Sequence, residues 1–285
     1  MKKTKGGNYG KRKKAGMFDF VNTTILALIG LLCIVPFLYV FFIALSDGTY
    51  LTRGQVTFFP KGVNLQAFIY VLTNPRFDVY TGMRNSVIYT FLGTIVSVIF
   101  TYITAYALTR PRLKIRFFIM SLFVITWVFE AGIIPQYIVY SSLGFIDNVW
   151  VMIIPGAINT QFLIITKAYL EGLPKELEEA AVIDGYNSFQ IFRKIIVPIS
   201  KPIFASCAIV NLNFVWNEFL FANVFLESKS IMTIPIGLMT FKGDMRSDYV
   251  VMLAGITIAS LPMIILYLCM QKQFVRGLTS GAVKG

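Results

Sequence analysis

Of 285 residues, 56% are apolar and 14% charged, and the formal net charge is +12. That balance is far from an ordinary soluble domain. With no histidine, and with Cys33, Cys207 and Cys269 in separate apolar stretches, the chain argues against zinc sites and disulfides. The basic residues lie beside apolar runs, which accounts for the charge without a nucleic-acid partner.

In chain order, Lys2 to Lys14 form a basic tail suited to anionic lipid. Residues 20–46, 85–109, 148–166 and 249–271 then carry no Asp, Glu, Lys or Arg, and 117–146 and 202–226 carry one acid each, Glu130 and Glu218. A helix of about 20 residues crosses roughly 30 Å of hydrocarbon. The pattern predicts an all-α integral membrane protein with six transmembrane helices, near 21–46, 86–108, 117–140, 149–169, 203–226 and 250–270. A barrel would instead show alternating segments of about 10 residues. The first run exceeds the roughly 7–15 residues of a signal-peptide core and no A-x-A-like site follows it, so it reads as a retained span. The chain divides into a basic tail (1–17), a first span with an outer segment (18–84), a core (85–271) and a C-terminal tail (272–285).

Lys and Arg set the orientation. With the N-terminus cytoplasmic, nineteen basic residues fall inside and seven outside. The excess places both termini in the cytoplasm.

Pro36 and Pro262 are expected to kink their spans. The segment 47–84 holds an amphipathic stretch, 65–72, between Pro60 and Pro75, and reads as a packed loop, lid or docking surface. Gly93, Ser97 and Thr101 recur at four-residue spacing and predict a close-packing face. Arg110, Pro111, Arg112, Lys114 and Arg116 form a tight basic turn, and a bend is expected at 132–135. Polar side chains inside spans are costly and usually face a wet path or bond helix to helix. Candidates for a polar path are Glu130, Gln136, Asn159, Gln161, Asn213, Trp216, Asn217 and Glu218. Amides and carboxylates there can bond hydroxyls, and an indole can stack on an apolar ring face.

The longest polar run between spans is Leu173 to Pro202. Pro174 is suited to a helix start, and Glu176, Glu178 and Glu179 complement the helix dipole there. Gly185 ends or bends that helix. A second amphipathic run, Phe189 to Ile196, places Phe192, Ile195 and Ile196 on one side. Pro198 and Pro202 close a helix–turn–helix knob.

Within the knob, Glu179-Ala180-Ala181, three residues, Gly185, nine residues, Ile195, one residue, Val197 and Pro198 resemble the "EAA" loop of ABC importer permeases. The loop's pattern has Leu where Val197 stands. The ending Gly277-Leu278-Thr279, then Gly281, then Val283-Lys284-Gly285 is similar to the C-terminus of the smaller permease of maltose-type sugar importers. The resemblance implies a cytoplasmic coupling helix between spans four and five that sits in a cleft of a cytosolic ATPase. Glu179 is then its polar anchor and Gly185 its turn, small Ala180 and Ala181 allow close approach to the ATPase, and Asp184, Ile195 and Pro198 complete the coupling set. The tail, with Gly277, Leu278, Thr279, Gly281 and Lys284, is expected as an extended segment between two ATPase subunits. Implied partners are a second permease, two copies of the ATPase, an extracytoplasmic solute-binding protein, membrane lipid and an oligosaccharide, in a bacterial inner membrane. Transport is expected by alternating access.

There is no phosphate-binding loop, so ATP and Mg²⁺ are expected on the partner ATPases, with no cofactor, metal or catalytic residue here. The alternatives are an importer of a non-sugar solute, an intramembrane enzyme using Glu130 and Glu218, and a structural or sensory membrane protein. The last leaves the coupling motif unexplained.

Overall fold

A chain surrounded by lipid must satisfy its backbone internally, and uninterrupted apolar runs do so as helices. The structure, a computed structural model, describes residues 16–74, 77–241 and 246–282, and every regular element among them is helical. Three helices among these residues are long and apolar enough to cross a membrane: α1 (Met17–Ala44), α4 (Val79–Thr109), and the 249–271 part of the last helix. The short helices α2 (Gly48–Thr52) and α3 (Gln66–Thr73) lie between α1 and α4, α3 falling on the amphipathic stretch expected there.

The remaining apolar runs are broken, one of them where a bend was expected at 132–135, the other two against the expectation of continuous spans. Residues 117–140 fold as α5 (Arg116–Val128) and α6 (Ile133–Ser142), parted by Gly132 at φ +76°. Residues 149–169 begin with a 3₁₀ turn (Val149–Met152), and α7 (Thr160–Glu171) starts only after Pro155 and Gly156. Beyond the polar knob, α11 (Lys201–Trp216) stops at Asn217, and α12 (Leu220–Phe225) follows. Apolar composition cannot locate such breaks. They sit where a left-handed glycine, a proline or a capping side chain gives the backbone another way to satisfy itself.

Helix α4 is the hub, packing on α7, on α11 and on α13 (Ile234–Met239). Asp78 caps its start, accepting from the Tyr80 N–H at 3.0 Å. Its buried stripe runs through Ser86, Gly93, Ser97, Thr101 and Ala105, small residues that let neighbours approach closely. A Cβ added at Gly93 lies 3.6 Å from the Met152 carbonyl oxygen. Polar members of the stripe bond outward: Asn211 donates to Thr94 Oγ1 at 3.2 Å, and the Asn159 N–H to Thr101 Oγ1 at 3.0 Å. Near the start of α4, Asn85 Nδ2 donates to the Ser230 and Met232 carbonyls at 2.9 and 3.0 Å, and Tyr89 to Ile231 at 3.0 Å. These bonds hold the strap leading into α13.

The last helix, α14 (Arg246–Ala282), packs on α1, α2, α3, α11 and α13. It continues through Ala282, so the C-terminal segment expected to be extended is helical as far as that residue. Phe77, 2% exposed, wedges between α4 and α13. A Cβ on Gly237 would sit 2.0 Å from its ring, and one on Gly82 2.2 Å. Because Phe77 is enclosed, Gly237→Ala is expected to cost about 1–3 kcal/mol through overpacking. This is read as a lowered Tm of the detergent-purified protein, and Phe77→Leu in the same chain recovers part of the loss.

Candidate functional site

The polar run between α7 and α11 folds as a knob of four short turns. They are α8 (Glu176–Ile183), α9 (Ser188–Ile191), a π-helical turn (Phe192–Ile196) and α10 (Val197–Ile199). Glu176, Glu178 and Glu179 occupy the first turn of α8, where the helix dipole favours them. Pro174 precedes that helix instead of opening it, since Lys175 is the N-cap. At the other end the Tyr186 N–H donates to the Ala181 carbonyl at 2.9 Å and the Gly185 N–H to Val182 at 3.0 Å. This is a Schellman closure, and it requires Gly185 at φ +80°. Asn187 and Gln190 then form a reciprocal capping box, each bond 2.9 Å. Beyond α10 the chain bends by 73° into α11.

One face of the knob is sewn to the bundle. Ala181, Ile191 and Ile196 are buried against Tyr102, Leu108 and Leu170, with Phe192 and Ile195 half-buried beside them. The Phe192 ring lies 4.8 Å from that of Tyr106 and 5.6 Å from that of Tyr102. Tyr102 donates to the Ile196 carbonyl at 3.4 Å and Tyr169 to that of Ile199 at 3.2 Å. Arg110, just past α4, grips Glu178 as a fork: Nη1 to Oε2, and Nη2 to Oε1 at 2.8 Å. Its guanidinium also lies 4.1 Å from the centroid of the Tyr106 ring. The hydrogen bond to Glu178 raises the Arg110 pKa above its ordinary value. The sequence holds this pair 68 residues apart and does not join it. Its signal was a basic turn closing one helix and an acidic first turn opening another.

The opposite face is free. Glu179, Ala180 and Asp184 are exposed, as are Val182 at 62%, Phe189 at 67% and Ile183 at 86%. Pro198 is exposed at the far end. The two alanines of the motif thus differ: Ala181 lets the knob approach the bundle, and Ala180 stays on the free side.

The candidate path residues are scattered over several breaks. Asn217, exposed at the end of α11, donates to the Asn213 carbonyl at 2.9 Å. Glu218, half-buried, accepts from the Phe221 N–H at 2.8 Å and lines a cavity of about 210 Å³ with Met152, Pro155 and Phe214. Trp216, 7% exposed, joins the cluster of Phe77, Ile234 and Leu238 and borders a second cavity of about 320 Å³. Asn159 caps α7, accepting from the Phe162 N–H at 3.1 Å, and Gln161 is exposed in the same turn. Glu130 is exposed in the α5–α6 break, with Gln136 half-buried on α6. Gly277, Leu278, Thr279 and Gly281 lie on the helical backbone of α14, and Lys284 falls outside the described residues.

The structure is thus that of a helical membrane protein whose polar knob is bonded to the bundle on one face and exposed on the other. The chain belongs to the family described as binding-protein-dependent transport system inner membrane component, whose model matches residues 79–280. It is 35% identical to Protein LplC of Bacillus subtilis (strain 168) over 95% of this chain and 97% of that one. It is 31% identical to the polygalacturonan/rhamnogalacturonan transport system permease protein YtcP of the same organism, over 95% and 100%. Among solved structures it resembles a bacterial ABC transporter involved in the import of the acidic polysaccharide alginate. That match has a TM-score of 0.80 and 29% identity, and covers 90% of this chain and 96% of that one. The chain is therefore a multi-pass inner-membrane subunit working with an ATPase and a solute-binding protein. It is not the catalytic subunit, which removes the intramembrane-enzyme alternative.

Gly185 gives a direct test of the knob's geometry. Gly185→Val forces a β-branched residue into the left-handed region, at a cost of roughly 1–2 kcal/mol, whereas Gly185→Asn costs less. Hydrogen exchange over 176–191 is expected to speed up strongly for the valine variant and weakly for the asparagine one.

Proposed function

We propose that this chain is one of two permease subunits of an ATP-driven importer of an oligosaccharide. The observation that carries the reading is the knob's bare face, where Glu179 stands beside exposed Val182, Ile183 and Phe189. Large apolar side chains projecting from a polar turn are suited to burial in a protein cleft. The EAA-like spacing names a cytosolic ATPase as the owner of that cleft. ATP and Mg²⁺ belong to the ATPase pair. The glycan assignment is supported by the saccharide polymers for which YtcP and the alginate importer are named, and by the Gly277–Lys284 ending.

In this reading six spans cross the membrane with both termini cytoplasmic. Helices α1, α4 and α14 cross whole, while α5–α6, the 149–171 segment and α11–α12 cross as broken spans. Irregular backbone at membrane depth is tolerated where protein or a wet cavity surrounds it, and transporters place their sites at such breaks. Asn213, Asn217 and Glu218 at the α11–α12 break, with Asn159 and Gln161 at the start of α7, then supply this chain's half of the path. Trp216 backs that wall. Glu130 contributes from the α5–α6 break. The path alternates between outward and inward access as the ATPase pair closes and opens against the knobs of the two permeases.

Two substitutions separate the parts of this reading. Ile183→Glu, which charges the bare face, is expected to lower recovery of the ATPase on the tagged permease by on the order of tenfold, a loss of about 1.4 kcal/mol. Glu218→Gln is expected to leave that recovery intact while slowing glycan uptake by membrane vesicles. Wild-type permease purified from its native membrane without an ATPase would sink the proposal.

A further inference from the structure

Adjacent glutamates in the first turn of α8 are used in opposite ways. Glu179 is exposed on the bare face, whereas Glu178 is 28% exposed and held by Arg110. Arg110 is in turn 31% exposed, with its plane over Tyr106 of α4, and the Tyr106 hydroxyl donates to the Ser188 carbonyl at 3.5 Å. The guanidinium thus touches the end of α4 and the start of α8 together. A bidentate fork over an aromatic face resists both sliding and rotation, which a point-charge pair does not. Other knob contacts to α4 are apolar or long, including the 3.4 Å bond from Tyr102. Around the pair lies a polar cleft of about 570 Å³, lined in part by Arg116, Leu170, Lys175 and Glu171. Apolar packing alone therefore does not enclose the junction.

We infer that Arg110 is a positioning residue for transport: with Glu178 and Tyr106 it forms a strut that makes the knob and α4 move as one body. This rests on the reading that the knob docks on an ATPase. Displacement of the knob during the nucleotide cycle then passes directly into α4, the helix on which α7, α11 and α13 pack. Without the strut the knob follows the ATPase and α4 lags. Nucleotide-driven movement is then spent at the α4–α8 junction instead of at the path.

The test uses the importer purified through a tag on this chain, with Cys33 and Cys269, both exposed, replaced by serine. Spin labels are placed at Ile103 on α4 and at Leu177 on α8, both exposed and neither on the bare face, and their separation is measured without nucleotide and with ATP and vanadate. In the parent protein the distance distribution is expected to be narrow and the same in both states. In Arg110→Ala it broadens without nucleotide and shifts with ATP and vanadate, while recovery of the ATPase is unchanged. Arg110→Lys, which keeps the charge but loses the fork, behaves like the alanine variant. The exchange Arg110→Glu with Glu178→Arg restores the narrow, nucleotide-independent distribution. An alanine variant as narrow and unshifted as the parent overturns the strut, and so does an exchange that restores nothing. Should no ATPase accompany the parent protein, the docking reading beneath the strut fails instead, and that is seen before any label is read.

Discussion

Close approach along one stripe of α4 is the constraint on which the rest of the structure depends. Lipid offers helices no hydrophobic reason to associate, so they adhere through contact and through hydrogen bonds between them. Gly93, Ser97, Thr101 and Ala105 supply the contact by having little side chain to hold neighbours away. Thr94 and Thr101 supply bonds, to Asn211 on α11 and to the chain just ahead of α7. Farther along the same helix, Asn85 and Tyr89 bind the backbone of the strap into α13. One helix with an almost featureless sequence thereby fixes the positions of three others.

The knob applies the opposite logic at the end of that helix. Here the residues are large and the bonds are charged. The rings of Tyr102 and Tyr106 pack at a tilt against Phe192, and Arg110 meets Glu178. The π-helical turn at Phe192–Ile196 belongs to the same device, since widening the helix by one residue is a common feature of functional segments. It brings Ile196 into the core just before the 73° bend. A surface built this way is stiff where it meets the bundle and unsatisfied where it faces away.

Much of this was legible in the sequence, because it followed from periodicity or from required backbone conformations. The small residues at 93, 97 and 101, the amphipathic segment before Pro75, and the turn at Gly185 were visible as patterns. What escaped lay between distant segments. Arg110 and Glu178 are 68 residues apart, and nothing local links them. Two of the breaks in the apolar runs escaped for a different reason: a hydropathy window averages over a Pro155-Gly156 or an Asn217, whose effect is conformational. The helical continuation of α14 through Gly277 and Gly281 also went against the local signal. There the momentum of a long preceding helix outweighed glycine's preference for freedom.

Helix α1 stands apart from this economy. No residue of its most apolar window is buried, and its packing within the chain is chiefly against α14, the last helix in sequence. A ribosome makes α1 long before α14. During synthesis α1 must therefore rest in lipid as a self-sufficient segment while roughly two hundred residues follow it, a wait its high apolarity allows. Its docking waits for α14, after the helices that pack on α4 have been made. A helix made long before its partner is thus fastened late.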